Sequence, residues 1–213
     1  MPPIDSSPPA PDRGALAAFL APTGRWRTVD IVTCAVLAVA FSIVFWAWNF
    51  VWAGIDPLFK FFPPLSAVIY GLWLIPAVLA PLIVRKAGAG IFTEGLAALM
   101  SLLLGSPYGI TVIYQGLLQG LGGDLAFASG RYRRYGVPIA MLGGALAGFG
   151  GTMWDVLYWY PTFDLWAFKV PYVAIAMVSG AIVAGLGSKA LVKAMQPTGV
   201  LDRFPAGRER ARI

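Results

Sequence analysis

AGIFTEGLAALMSLLLG, residues 89–105, is apolar along nearly its whole length and carries one carboxylate, Glu94. A run of this kind reads as a short membrane span, closed by the tight turn Gly105-Ser106-Pro107. A carboxylate at bilayer depth costs several kcal/mol unless it meets a partner or faces a polar cavity. Two more, Asp124 and Asp155, fall in or at the end of later apolar runs, and Gln115 and Gln119 share a run with Asp124. Five such groups in an otherwise oily chain are most simply explained by something polar or cationic that the bundle holds.

Working outward, the other runs long enough to cross the hydrocarbon core are about Val29–Val51, Leu65–Val84, Tyr108–Ala128, Val137–Tyr158 and Phe168–Ala194. With Ala89–Gly105 they predict an all-α integral membrane protein, a bundle of six transmembrane helices over residues 25–195. Composition agrees. Only 12% of the 213 residues are charged and 58% are hydrophobic, about half the charged share of a soluble domain, and mean hydropathy is +0.72. Basic residues set the expected orientation. Arg13, Arg25 and Arg27 precede the first run, and Arg85 and Lys86 follow the second. Arg131, Arg133 and Arg134 follow the fourth, while Lys189, Lys193, Arg203, Arg208, Arg210 and Arg212 end the chain. The other side holds Lys60 and Lys169 alone, so both termini are expected in the cytoplasm of a prokaryotic cell and the +6 net charge is a topology signal. Residues 1–24, rich in proline, read as a disordered cytoplasmic tail, and 196–213 as a basic tail that anchors at, or lies on, anionic lipid.

Small residues recur every fourth position: Cys34, Ala38 and Ser42 on the first run, Gly116 and Gly120 on the fourth, Gly144 and Gly148 on the fifth, Gly180 and Ala184 on the sixth. Such stripes let backbones approach closely. Most serve internal packing; the stripe on the first run is the one expected to face a partner membrane protein.

Polar and aromatic residues also share faces at helical spacing. Ser66, Tyr70 and Trp73 do so on the second run, and Tyr108, Thr111, Gln115 and Gln119 on the fourth. The outer end of the first run adds Trp46 and Asn49, and that of the fifth adds Trp154, Asp155 and Tyr158. Rings that attract cations, amides that orient a ligand and carboxylates together suit a flat, partly cationic ring system. Candidate binding residues are therefore Glu94, Gln119, Gln115, Trp73, Tyr70, Asp155, Trp154, Asn49 and Trp46. Structural readings stand beside these. Trp48, Trp52, Trp159 and Tyr160 suit an interfacial belt. Gln115 and Gln119 suit interhelical hydrogen bonding. Glu94 has basic neighbours toward the cytoplasmic side, Asp124 has Arg131 or Arg134, and Asp155 has water.

Histidine is absent and Cys34 is the only cysteine, so neither a nucleophile–base pair with histidine nor a metal-ligand cluster can be assembled. Gly120-x-Gly122 lies inside an apolar run with no strand before it, so it is no nucleotide loop. An enzyme is not expected, and no cofactor.

The order of motifs is recognisable. Arg85-Lys86-Ala87-Gly88-Ala89 leads into Thr93-Glu94. Then come Gly105-Ser-Pro-Tyr-Gly109, Gln119-Gly-Leu-Gly-Gly-Asp124, Trp154-Asp155, and Ser179-Gly180-Ala181 ahead of Gly185. From about Val29 to Val200 this resembles the YkoE family of substrate-binding S components in energy-coupling-factor (ECF) vitamin transporters. Asp124 stands where that pattern has Glu, and Ala87 where Pro is common. The resemblance implies a six-helix subunit that binds thiamin or its hydroxymethylpyrimidine precursor from outside. It works with a membrane coupling subunit and two cytoplasmic ATPases, and its first helix meets the coupling subunit near Ala38 and Ser42. The competing expectation is an autonomous secondary transporter coupled to protons through Glu94 and Asp155.

Overall fold

The computed structural model describes residues 24–208. Apart from Gly24, the tail expected over residues 1–24 lies outside the described residues, as does 209–213 of the basic tail. Helix α1 spans Thr28–Ile55, α2 Pro63–Val84, α3 Ala89–Leu103, α4 Thr111–Ser129, α5 Val137–Tyr158 and α6 Leu165–Thr198. No strand occurs among the described residues. α1, α2, α5 and α6 are each long and apolar enough to cross a bilayer, while α3 is apolar but only 15 residues long.

The apolar runs fold as helices because a backbone in lipid must satisfy its own hydrogen bonds. α2 lies deepest. All of its residues from Pro76 to Val84 are buried, which places it inside a ring of the other helices rather than on an edge. Its first part, Pro63–Leu74, is wound as a 3-10 helix before relaxing to α geometry at Ile75–Val84. In the tighter winding, residues three apart eclipse. Tyr70 and Trp73 consequently stand on one edge, with ring centroids 5.7 Å apart. Ser179 of α6 steadies this stretch: its hydroxyl donates to the Val68 carbonyl at 2.5 Å and accepts from the Gly71 N–H at 3.0 Å.

α3 packs against α1, α2 and α4, and α5 against α4 and α6. Several crossings need glycine, two of them at Gly120 and Gly144. At Gly120 an added Cβ would stand 2.6 Å from the Ile91 Cα of α3, and at Gly144 it would run into the Gly180 carbonyl of α6. The helix axes sit too close there for any side chain.

α1 departs from expectation. Cys34, Ala38 and Ser42 are buried within the chain, at 0%, 0% and 2% exposure, and its outer face is Val32, Val36, Val39, Ile43 and Phe50. The small-residue stripe is turned inward, where Ala38 and Phe45 pack with Ala97 of α3. The physical reason is the one that applies to the glycine stripes: small side chains let α1 close onto its neighbour.

The bundle has two unlike ends. At the basic end lie the start of α1, the α2–α3 turn, the α4–α5 loop and the chain's last segment. That segment is docked by buried Leu201, Phe204 and Ala206. At the opposite end the α3–α4 and α5–α6 loops meet the close of α1.

Candidate functional site

At the end away from the arginines a cavity of about 180 Å³ opens among α1, α2, α3, α4, α5 and α6. Its volume equals the liquid share of about six waters. Aromatic rings make much of its wall: Trp52 from α1, Trp73 from α2, Tyr108, Trp159 and Tyr160 from the loops, and Tyr172 from α6. Asn49, Ser101, Ser106, Gln115, Gln119 and Asp155 supply the polar lining.

Local chemistry explains each placement. α3 ends in a Schellman motif. Gly105 takes φ +87, its N–H reaches the Leu102 carbonyl, and the Ser106 N–H reaches Ser101. Only glycine enters that left-handed region without strain. The turn aims Ser101 and Ser106 at the cavity. On α4, Val112, Gln115 and Gln119 follow helical spacing down one face, with Tyr108 of the preceding loop above them. α5 stops before Pro161. α6 is started by Asp164, whose carboxylate accepts from Trp166 N–H at 2.8 Å and Ala167 N–H at 2.6 Å, a side-chain cap. Just before Pro161, Trp159 and Tyr160 line the mouth of the cavity.

Asp155 is the hub. One carboxylate oxygen accepts from the Tyr70 hydroxyl at 2.9 Å and the Tyr172 hydroxyl at 3.1 Å, and the other accepts from Gln115 Nε2 at 2.8 Å. Gln115 Nε2 also donates to the Tyr70 oxygen at 2.7 Å, and Gln119 Nε2 does so at 3.4 Å. No Lys or Arg among the described residues pairs with Asp155, which is 4% exposed. Three neutral donors hold this carboxylate. Its acceptor sites number about four, so one remains. The Gln115 and Gln119 amide nitrogens are committed to this network, which leaves their carbonyl oxygens to the cavity. Gly151 makes room: a Cβ there would lie 2.8 Å from both the Gln119 side chain and the Tyr70 oxygen.

Gln119, Gln115, Trp73, Asp155 and Asn49 are thus brought together at the cavity, with Tyr70 just behind. Glu94 stands apart. It is 0% exposed, and its Oε2 accepts from the Ala77 N–H of α2 at 2.7 Å. That N–H lies where the 3-10 winding of α2 gives way to α geometry. Asp124, expected beside Arg131 or Arg134, instead accepts from Gly90 N–H at 3.3 Å and Ile91 N–H at 2.9 Å in the first turn of α3. Trp154 stacks between Tyr114 and Tyr158, and Trp46 packs edge-on to Phe50 at 40% exposure; neither lines the cavity.

Trp52, Trp159 and Tyr160, read from sequence as belt residues, line the cavity instead. Tyr172 was not singled out by sequence, although a tyrosine in an apolar run is a signal of the same kind as Tyr70. Trp48 keeps a packing role, its Nε1 donating to the Ile69 carbonyl at 3.2 Å.

A family described as ABC-type cobalt transport system, permease component, matches residues 29–150. The protein YkoE of Bacillus subtilis (strain 168), whose name assigns it provisionally as an HMP/thiamine permease, is 35% identical over 188 residues. The match covers 86% of this chain and 92% of that protein. A crystal structure of an S-component of an ECF transporter superposes with a TM-score of 0.82 at 31% identity, covering 88% of this chain and 94% of that one.

Proposed function

The chain belongs to the YkoE-type S-component family of ECF transporters, multi-pass proteins of the cell membrane, and on that premise we propose that it is the vitamin-binding subunit of an uptake system for thiamin or hydroxymethylpyrimidine. The observation that carries the reading is Asp155: a buried carboxylate with no cation beside it, on the wall of an aromatic cavity. A ring cation would supply the missing charge, and a neutral amine would supply an N–H donor. Trp52, Trp73 and Trp159 would stack on the ligand, each contact with a cation contributing about 0.5–2 kcal/mol. The free acceptor site on Asp155 takes one N–H, and the Gln115 and Gln119 carbonyls take another. The exocyclic amine common to both vitamers presents two N–H groups on one nitrogen.

The family description names cobalt. No group of three His, Cys, Asp or Glu gathers among the described residues. A wall of rings with one carboxylate suits an organic ring better than a divalent ion.

In this reading α1 to α6 all cross the membrane, and the cavity opens outward. Support comes from the cations: Arg85, Lys86, Arg131, Arg133 and Arg134 sit at the end opposite the cavity, and among the described residues only Lys60 and Lys169 share its end. A coupling subunit and two cytoplasmic ATPases drive release inside, and the chain carries out no chemical step itself.

The test is a fluorescence titration of the purified full-length protein with thiamin and with hydroxymethylpyrimidine. Saturable quenching by either is expected, because three tryptophans line the site; flat curves with both overturn the reading. Proteoliposomes holding this chain alone are expected not to accumulate the vitamin under a pH gradient. Accumulation would instead establish the proton-coupled transporter.

A further inference from the structure

A second concave site lies at the basic end, on the far side of the bundle from the vitamin cavity. It is a groove of about 490 Å³. Arg27, Arg85, Lys86 and Arg133 line it, with Tyr132 and Tyr135 between them. Val84 and Pro205 complete its walls.

The four cations come from three separate places in the chain. Arg27 immediately precedes α1, Arg85 and Lys86 follow the last residue of α2, and Arg133 belongs to the α4–α5 loop. Each therefore stands at the rim of an apolar helix, at the depth of lipid headgroups. The backbone is bent to bring them there. Arg85 takes φ +55, and Arg131 and Tyr132 take +52 and +50, left-handed values that non-glycine residues seldom adopt. The Arg85 guanidinium lies 4.4 Å over the Tyr135 ring, which fixes its plane.

Negative charge in the groove is scarce. Asp30 is 0% exposed and held by Arg27 through bonds of 2.8 and 3.2 Å, and Asp124 is turned into the start of α3. Burial pushes the Tyr132 phenol up to about 12, and burial likewise pushes Tyr135 up, so both stay neutral at physiological pH. A plain orientation signal needs only that cations lie on one side. Convergence of four on one concavity with ring and proline walls goes further.

We propose that this groove binds the phosphate headgroup of an anionic phospholipid, seated between the α2–α3 turn and the α4–α5 loop. The guanidinium and ammonium groups meet the phosphate, and Pro205, which is only partly buried, meets the glycerol. Charge complementarity and headgroup depth both favour lipid over an acidic protein segment as the occupant.

The test uses full-length protein in nanodiscs of equal parts phosphatidylglycerol and phosphatidylcholine. The protein is re-extracted in mild detergent and its retained lipid counted by native mass spectrometry. The wild type is expected to keep phosphatidylglycerol in preference. The double variant Lys86→Gln/Arg133→Gln should keep at least about fivefold less, the effect expected from losing even one cation at the surface. The charge-preserving pair Lys86→Arg/Arg133→Lys should keep the wild-type amount. An unchanged thermal midpoint in the double variant shows that it is folded. Equal retention of both lipids by the wild type, undiminished phosphatidylglycerol on the double variant, or loss from the charge-preserving pair would each overturn the proposal. So would a double variant that keeps its lipid but no longer copurifies with the ATPases, which would assign the groove to an acidic protein partner.

Discussion

The two halves of the bundle treat a buried carboxylate in opposite ways. In the half nearer the arginines, Glu94 receives the Ala77 N–H, and Asp124 receives those of Gly90 and Ile91. Both bind a neighbouring helix: Asp124 at the start of α3, where orphan N–H groups and the positive end of the helix dipole stabilise negative charge, and Glu94 at the point in α2 where 3-10 winding gives way to α. In the half near the cavity, Asp155 receives only side-chain donors: two phenols and an amide. Backbone donors are fixed by the fold and tie each carboxylate to a neighbouring helix; the second Glu94 oxygen is buried and meets no donor, but it does not line the cavity. Side-chain donors on three different helices leave it an open position toward the cavity. A polar group deep in an apolar bundle is thus not by itself a binding group; the kind of donor that holds it distinguishes the two.

Substitutions can break or sharpen this contrast. The largest effect is expected at Asp155→Asn, which keeps the shape and removes the charge. Thiamin affinity by fluorescence titration should fall by about a hundredfold, or about 2.7 kcal/mol. A fall of less than about threefold would place Asp155 with the caps. Gly151→Val comes next. The added side chain has to displace Gln119 and the Tyr70 hydroxyl, and affinity should fall by about thirtyfold (about 2 kcal/mol) with the far end of the bundle undisturbed. Trp73→Ala removes one ring face and should cost about tenfold in affinity, within the range of a desolvated cation–π contact. Smallest on binding is Glu94→Gln. The amide oxygen still accepts from Ala77, so affinity should stay within about twofold. Glu94→Ala, by contrast, leaves a buried N–H without a partner and should lower stability by about 1–3 kcal/mol, read from the thermal midpoint. A Glu94→Ala protein that melts like wild type yet no longer binds thiamin would reverse the comparison.

Much of the architecture was legible because lipid simplifies the rules. Val137–Tyr158 was read to the residue, and Leu65–Val84 differs by two residues at its start. Half the site was legible for a related reason: Gln115, Gln119 and Asp155 are expensive in an apolar run and needed an explanation wherever they pointed. Direction was not legible. Glu94 and Gln119 look alike in sequence, but Glu94 faces the junction in α2 where 3-10 winding gives way to α, and nothing local to residue 94 announces that junction. Trp52 and Trp159 sit at helix ends, where belt and pocket residues have the same address; only the loops that close the mouth separate them. The stripe of Cys34, Ala38 and Ser42 shows the same gap, since spacing marks a close contact without saying with which helix.

The hydroxyl of Tyr70 has a longer reach. It donates to Asp155 and accepts from Gln115 and Gln119, so one oxygen atom ties α2, α4 and α5 together beside the cavity. None of these four side chains can be exchanged without unsettling the other three. Mutational drift at this corner should therefore be strongly epistatic, and a descendant adapted to a differently shaped nutrient would have to replace the quartet in concert rather than one member at a time.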